Sequence, residues 1–383
     1  MTQFYQLSGA ERLGVELAQE LNKRKIHTDI LSMYTEDMPG VLEAKKELLQ
    51  RGIPQVHFLR MKVRPSIASI IPAILNLRRL IKEEKYDIVE TSMVSPTVLA
   101  AWAVRGTQSW HLAGLHQVFR RDRENSIRHW LWRFSIRCNP HIRYYSISDY
   151  ASKAWVYYSR TPPQYTRTIY NAIPDDCFKA VADRQGIRTE LRIPQNSRIA
   201  LYVGRLAKYK GCDTLVDTLG PILKKSNLHL LLVGEPDTNV PGCGEMIDGM
   251  KKQIKDNGWN DWIRFLGYRK DIPRLLASAD IIVHPTHMEG FGLVLVEAMA
   301  AGLPVVASNA EAIPEVLKNT DSIMVPPDDP ESLRKAVIQT INRSPLEATV
   351  AIEKGRKRAE DFRIGRRIDS MLKLFGDALA QRL

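Results

Sequence analysis

Two glutamates lie eight positions apart in the second half of the chain, and the residues between them suit an anionic ligand. Residues 281–283 predict a buried parallel strand and residues 293–301 predict a helix. Glu289 then falls in a strand-to-helix loop, and Glu297 lies about two turns down the helix. The amides at the start of that helix would favour a phosphate, because they are unpaired and meet the positive end of the helix dipole. These amides belong to Gly290, Phe291, Gly292 and Leu293.

A second loop offers positive charge after the apolar run 199–203. Gly204 allows backbone conformations that other residues rarely adopt. Arg205 supplies a planar guanidinium, and Lys210 supplies a point charge. Alone, such a loop is more often structural or solvated. Together with the glutamates it favours a diphosphate, so the sequence predicts binding of a nucleotide sugar.

Residues 285–304 resemble the E-x7-E signature of the retaining GT-B glycosyltransferases of family 4. Residues 203–211 resemble the V-G-R-L-x-x-x-K-G loop of the same family. The resemblance spans nearly the whole chain. It implies an α/β fold of two tandem Rossmann-like, doubly wound domains that face each other across a cleft. It also implies transfer of a hexose, with retention, from a nucleoside-diphosphate sugar. UDP is expected because it is frequent in the family.

The resemblance also implies roles for these residues. Arg205, Lys210 and the amides of residues 290–293 would bind the donor diphosphate, Glu297 the ribose hydroxyls, and Glu289 the sugar. No general base is assigned, because in this family the leaving phosphate is thought to accept the acceptor's proton.

Further roles follow from the family pattern. His116, which closes the extended run from Trp110, would lie over the donor sugar, and His111 has the weaker claim because it begins that run. Gly9 would approach the donor diphosphate. The nucleobase pocket is expected to contain Gly234, Tyr268 and Arg269.

The sequence departs from the family pattern in two places. Residues 2–7 give only a short, polar first strand before the loop at Gly9. Residues 309–315 lack the paired glycines that normally precede Pro-Glu. The first departure puts the position of Gly9 in doubt.

Short apolar runs alternate with helical patterns in both halves, which favours parallel sheets covered by helices. We predict an acceptor-binding domain at 1–175, a linker at 176–195 and a donor-binding domain at 196–355. The resemblance implies that the helix at 356–383 crosses back to the first domain.

Composition is that of a folded protein, with 44% hydrophobic and 26% charged residues among 383. Four scattered cysteines without a C-x-x-C pair suit a reducing compartment. The start of the chain lacks the features of a signal peptide, and no apolar run reaches the length of a spanning helix, so we expect a cytoplasmic protein. No D-x-D pair occurs, which predicts no metal requirement and no cofactor besides the donor.

Positive charge concentrates in the first half, where 25 lysines and arginines oppose 16 acidic residues over positions 1–175. A helical pattern between 125 and 138 carries one apolar face and basic residues elsewhere. It suggests a surface for an acceptor or for the anionic inner face of the membrane, although a core helix with a solvated basic face is nearly as good an interpretation. The surface proposed for the acceptor or the membrane, called the basic face below, combines this helical pattern with two basic stretches outside it. Its residues are Arg60, Lys62 and Arg64 in one loop, Arg120 and Arg121 before the helical pattern, and Trp130, on the apolar side, and Arg133 within the pattern.

Family habit and the basic face suggest a glycan or lipid-linked glycan acceptor in the synthesis of bacterial envelope polysaccharide or lipopolysaccharide. Three alternatives remain: a GT-B-like nucleotide-sugar hydrolase or epimerase, a basic nucleic-acid-binding module, and a catalytically silent scaffold. Relatives of the first kind generally lack the E-x7-E string, and the sequence contains no recognised nucleic-acid motif.

Overall fold

The computed structural model describes residues 9–53, 55–62, 67–120, 133–134, 139–238 and 240–380. These residues form two compact units. One contains the described residues up to Asn171 and those from Gly365 onward, and the other is Ala172–Ile364. The predicted linker, 176–195, therefore lies inside the second unit.

The first unit has parallel strands throughout, each followed by a helix or loop that returns the chain to the next strand. Strands β1 and β2 form a two-stranded sheet, and β3 to β6 form a four-stranded sheet in sequence order. Its strands are β1 (Ile30–Tyr34), β2 (Val56–Met61), β3 (Ile88–Ser92), β4 (Trp110–Leu115), β5 (Ile142–Ser146) and β6 (Thr166–Thr168). Its helices are α1 (Gly9–Lys23), α2 (Pro39–Gln50), α3 (Ile67–Glu83), α4 (Val94–Ala103) and α5 (Asp149–Ser159). The last helix of the chain, named below, also belongs to this unit from Gly365 onward.

Within the described residues, β1 and β3 are not paired with each other. Apolar side chains of both strands, among them Ile30 and Val89, line the space between them. Helices α1 and α3 add further apolar side chains, and so does Phe375 near the end of the chain. The short strand expected at 2–7 lies outside the described residues.

The second unit is a six-stranded parallel sheet in the order β12-β11-β10-β7-β8-β9. Its strands are β7 (Arg198–Val203), β8 (Leu228–Val233), β9 (Ile263–Gly267), β10 (Ile281–His284), β11 (Val305–Ser308) and β12 (Ile323–Val325). The first four of its helices are α6 (Arg184–Glu190), α7 (Cys212–Leu219), α8 (Cys243–Asp256) and α9 (Ile272–Ser278). The remaining helices are α10 (Leu293–Ala301), α11 (Ile313–Val316), α12 (Pro330–Ile341), α13 (Pro345–Ala359) and α14 (Ile364–Ala380), the last of which is the C-terminal helix.

The strands of the second sheet are nearly continuous apolar runs because both of their faces are covered. Alternate residues of β7 and β8 pack with α7, α8 and α12 in one core cluster. The strand order reverses between β7 and β10, and such a switch point leaves a crevice at the carboxyl ends of the two strands. The α/β class predicted from the sequence is confirmed.

The segment predicted as a linker is folded because its polar groups are bonded to the second sheet. Asp183 caps α6 by accepting from the amide of Gly186 and donates its own amide to Ser278 Oγ. The buried Arg188 donates to the carbonyl of Ser197 and to Asp280, 2.9 Å away. The units divide at residues 171/172 and 364/365 rather than at 175 and 356.

Candidate functional site

Four loops meet at the carboxyl edge of the second sheet. They follow β7, β10, β11 and β12, and they contain residues 204–211, 285–292, 309–312 and 326–329. The loops after β7 and β10 flank the switch point. They carry the two motifs that the sequence singled out.

The loop after β10 ends in a helix start that no side chain caps. Gly292 precedes α10 with a left-handed φ of 92° and accepts the amide of Leu295 at 3.0 Å. Phe291 is buried and packs edge-on against Phe362, with 5.3 Å between ring centroids. The phenyl ring is thus packed in the core and anchors the loop. The groups that the start of α10 can offer to an anion are the backbone amides of its first turn.

Glu289 accepts two hydrogen bonds at one carboxylate oxygen. Lys210 Nζ lies 2.6 Å and His284 Nε2 lies 3.1 Å from its Oε2. Burial raises the pKa of this carboxyl, but the bond from His284 and the charge of Lys210 outweigh it and hold the pKa well below its usual range. Burial lowers the pKa of His284, so a neutral imidazole donates from Nε2 to an ionised Glu289.

Lys210 is held against Glu289 by close contact between two loops. Gly211 has a left-handed φ of 69°, and a Cβ at that position would lie 2.1 Å from the carbonyl oxygen of Pro285. The amide of His287 donates to the carbonyl of Tyr209 at 2.9 Å. The loop after β7 and the loop after β10 are therefore packed directly against each other.

Arg205 also has a carboxylate partner in this structure. Its guanidinium lies 2.5 Å from Asp237 Oδ2, which also accepts from the Tyr209 hydroxyl at 3.0 Å. The Arg205 side chain is 60% exposed, whereas that of Asp237 is 3% exposed. Asp237 follows β8 and was missed in the sequence, where only its position after an apolar run next to Gly234 and Glu235 could have drawn notice.

Two of the residues expected in the nucleobase pocket, Gly234 and Arg269, are engaged mainly by other groups of the protein. Gly234 has φ 139°, and a Cβ there would lie 1.9 Å from the carbonyl oxygen of Gly204. Arg269 donates at 2.7 Å to Asp271 and to Glu190, which joins the loop after β9 to α6. Tyr268 is 63% exposed beside it.

Two further residues were expected to contact the donor, Glu297 on a helix and Gly9 in a loop. Glu297 lies on α10, two turns after the loop, and is half-buried. Gly9 is the first residue of α1.

In the first unit, His116 follows β4 at the carboxyl edge of the four-stranded sheet. Its ring meets Tyr145 edge-on at 6.0 Å, and its Nε2 is buried with no hydrogen-bond partner in the described residues. Burial, and then the charge of Arg367, lower the pKa of His116 to about 3, so the imidazole is neutral. A Cβ on Gly114 would lie 2.5 Å from the Tyr145 hydroxyl, which explains the glycine beside this ring.

Three residues around His116 were not singled out in the sequence. The Tyr145 hydroxyl donates to Glu90, and the guanidinium of Arg367 lies 5.6 Å from the Tyr145 ring. They come from two strands and the last helix, so no local spacing could connect them. His111, the weaker candidate, is buried within β4 and bonds Thr91 Oγ1 at 2.9 Å, which makes it a core residue.

The basic face is described only in part. Arg60 is 73% exposed and lies 3.7 Å from Glu36. Lys62 is exposed, Arg120 is half-buried, and the Arg133 guanidinium lies 5.2 Å from the Tyr158 ring centroid. The remaining members, Arg64, Arg121 and Trp130, lie outside the described residues.

Neither a metal-binding cluster nor a membrane-spanning helix occurs in the described part of the chain. No group of three or more His, Cys, Asp or Glu side chains is arranged to hold a metal ion. No helix there combines the length and the apolar character needed to cross a bilayer.

Two family profiles match this chain in adjoining segments. The profile described as Glycosyltransferase Family 4 matches residues 7–176, and the profile described as Glycosyl transferases group 1 matches residues 183–358. The chain belongs to the GT-B glycosyltransferases of family 4. The resemblance drawn from the two loops is thereby confirmed.

Individual relatives agree with this family. An uncharacterized glycosyltransferase of Methanocaldococcus jannaschii is 30% identical over 188 residues, which is 48% of this chain and 46% of that protein. The match thus spans about half of that relative's length. The UDP-Gal:α-D-GlcNAc-diphosphoundecaprenol α-1,3-galactosyltransferase of Escherichia coli is 24% identical over 331 residues, 83% of this chain and 82% of that one.

A solved structure shares the fold. HepE of Anabaena, crystallised in complex with UDP, superimposes with a TM-score of 0.83 at 21% identity and covers 98% of both chains. This similarity, together with the parallel sheets, confirms the predicted GT-B architecture.

Proposed function

We propose that this protein transfers a hexose, with retention, from a UDP-sugar to a hydroxyl of a glycan or lipid-linked glycan. The observation that carries the proposal is the pairing of Glu289 with Lys210 and His284 beside the uncapped start of α10. The UDP bound to HepE and the UDP-galactose donor named for the E. coli relative support the choice of donor.

The donor diphosphate would be bound by cations that now face carboxylates. Arg205 is exposed enough to turn from Asp237 to a phosphate, and Lys210 is bonded to Glu289 in the loop that leads into α10. Charged hydrogen-bond donors fixed around a leaving diphosphate stabilise the negative charge that develops there. We therefore propose that transfer needs no metal ion, and that Glu297 binds the ribose while the region of Gly234 and Tyr268 receives the base.

The protein would position the donor sugar, and no side chain would act as a general base. Glu289 has one oxygen, Oε2, bonded to Lys210 and His284, and no hydrogen bond from the described residues reaches its Oε1. A carboxylate fixed in this way is an acceptor for sugar hydroxyls. We propose that His116 supplies a second, neutral contact to the sugar.

Replacement of Glu289 by glutamine tests this proposal directly. We expect Glu289→Gln to lose transfer by about a hundredfold or more while UDP binding persists, because Lys210 remains available to the phosphate. Glu353→Gln, at an exposed position on α13, is the matched control and should leave transfer unchanged.

The assay begins with a thermal-shift panel of nucleotide sugars and continues with transfer in the presence of EDTA. NMR of the product anomer then reports retention or inversion. Near-normal turnover of Glu289→Gln, an inverted product, or activity abolished by EDTA would each contradict the corresponding part of the proposal.

We further propose that the acceptor is presented at an anionic membrane surface during synthesis of envelope polysaccharide or lipopolysaccharide. The basic first half and the lipid-linked acceptor named for the E. coli relative support this. Sedimentation with vesicles should show binding that requires anionic lipid and weakens with salt. Equal, negligible binding to neutral and anionic vesicles would exclude it.

A further inference from the structure

Glu311 occupies a backbone conformation that favours glycine. It lies in the loop between β11 and α11 with φ 48°, in the left-handed region that side chains with a Cβ rarely adopt. The sequence departs from the family's paired glycines at this loop. Such a residue persists where the surrounding structure holds it in place, and residues of this kind cluster at functional sites.

The side chain of Glu311 bonds the backbone of Glu289. Its Oε2 accepts the amide hydrogen of Glu289 at 2.7 Å. The amide of the next residue, Ala312, donates to the carbonyl of Glu289 at 3.3 Å. Both backbone groups of Glu289 are therefore held by the loop after β11.

Other contacts secure the same segment at neighbouring residues. Thr286 donates to the carbonyl of Tyr209 at 3.2 Å, and His287 Nδ1 lies 3.1 Å from Asp328. These contacts come from the loops after β7 and β12. The bond from Glu311 differs from them because it is made to residue 289 itself.

We infer that Glu311 is a positioning residue for Glu289 and fixes the direction in which the Glu289 carboxylate meets the donor sugar. Removing it would let residue 289 shift relative to Lys210 and His284 while their side chains stay intact. The inference rests on the proposed transfer reaction and adds a residue that the family motif does not contain.

Two substitutions separate the hydrogen bond from the backbone strain. Glu311→Gly removes both, so we expect kcat to fall by about ten- to a hundredfold, KM for the donor to stay within about twofold, and Tm to stay level or rise. Glu311→Gln keeps an oxygen acceptor at the same length, and it should retain most of kcat.

A matched control isolates relief of strain. Arg192 has the same φ, 48°, at an exposed position in the same unit. Arg192→Gly should leave kcat unchanged. Full kcat in Glu311→Gly, or an equal loss in Glu311→Gln, would overturn the inference.

Hydrogen exchange gives a readout that does not depend on turnover. Peptides covering 287–292 should exchange faster in Glu311→Gly than in the wild type, and at the wild-type rate in Glu311→Gln. A wild-type protein that neither binds nor transfers a sugar would refute the proposed function, whereas unchanged exchange in Glu311→Gly would refute only the positioning role of Glu311.

Discussion

At the scale of single residues, the charged groups of this site satisfy one another before any ligand arrives. Lys210 is paired with Glu289, and Arg205 is paired with Asp237. The donor diphosphate that we propose to bind here would therefore compete with carboxylates that are already bonded. This favours a ligand with several negative charges over a single small anion, because only the former can engage both cations at once.

His116, in the first unit, contributes to a dependence of stability on pH. The pKa of His116 is about 3 in the folded protein against 6.5 for an ordinary histidine. Between these values the unfolded chain binds a proton that the folded chain does not, so the free energy of unfolding falls as pH is lowered. The slope is at most about 1.4 kcal/mol per pH unit for one such group.

We therefore expect His116→Asn to flatten the decline in stability between pH 6.5 and pH 4.5. Urea unfolding of the wild type and the variant at several pH values measures this. Parallel curves for the two proteins would show that His116 ionises normally in the fold.

At the scale of elements, the loops after β7 and β10 depend on one glycine. Gly211→Ala would place a Cβ 2.1 Å from the carbonyl oxygen of Pro285 and would strain a left-handed φ. We expect a loss of about 2–4 kcal/mol in the free energy of unfolding, together with a large loss of transfer, because the two loops can no longer pack.

Gly258 provides the matched control for that substitution. It has nearly the same φ, 68°, but nothing lies within 4 Å of its would-be Cβ. Gly258→Ala should cost only about 1 kcal/mol and leave transfer intact. Chemical denaturation and initial rates compare the two, and equal effects would refute the role of the Pro285 contact.

Local patterns predicted much of this second unit. The apolar run 281–283, the Gly-Phe-Gly turn and the apolar residues after it gave β10, its loop and α10 nearly as they occur. They could not reveal Asp237 or Glu311, whose partners are 32 and 22 residues away. The sequence also could not show that Arg269 is engaged by Glu190, since a side chain's partners depend on packing between distant elements.

At the scale of the whole molecule, the first and the last described residues belong to the same unit. The last helix, α14, contributes the buried Arg367, which donates to the carbonyls of Ile169 at 3.1 Å and Tyr170 at 2.9 Å. The end of the chain thus satisfies backbone groups just after β6. The first unit is therefore made of two stretches of chain, one on each side of the second unit in the sequence.

Arg367→Met should therefore weaken the first unit selectively. The buried carbonyl of Ile169 and the partly buried carbonyl of Tyr170 would lose their donor, at about 1–3 kcal/mol. Arg366→Met, at the adjacent exposed position, should have little effect. Hydrogen exchange resolved by peptide should show faster opening in β3 to β6 and unchanged protection in β7 to β12. Uniform loss of protection across both units would contradict this.

The division of the first unit between two stretches of chain has a practical consequence for anyone who dissects this protein. A fragment that stops at Asn171 would lack α14, and the carbonyls of Ile169 and Tyr170 would lose the guanidinium of Arg367. The second unit, Ala172–Ile364, is by contrast one continuous stretch of sequence. Study of the first unit by itself would therefore require α14 to be supplied as well, as a separate peptide or through a linker.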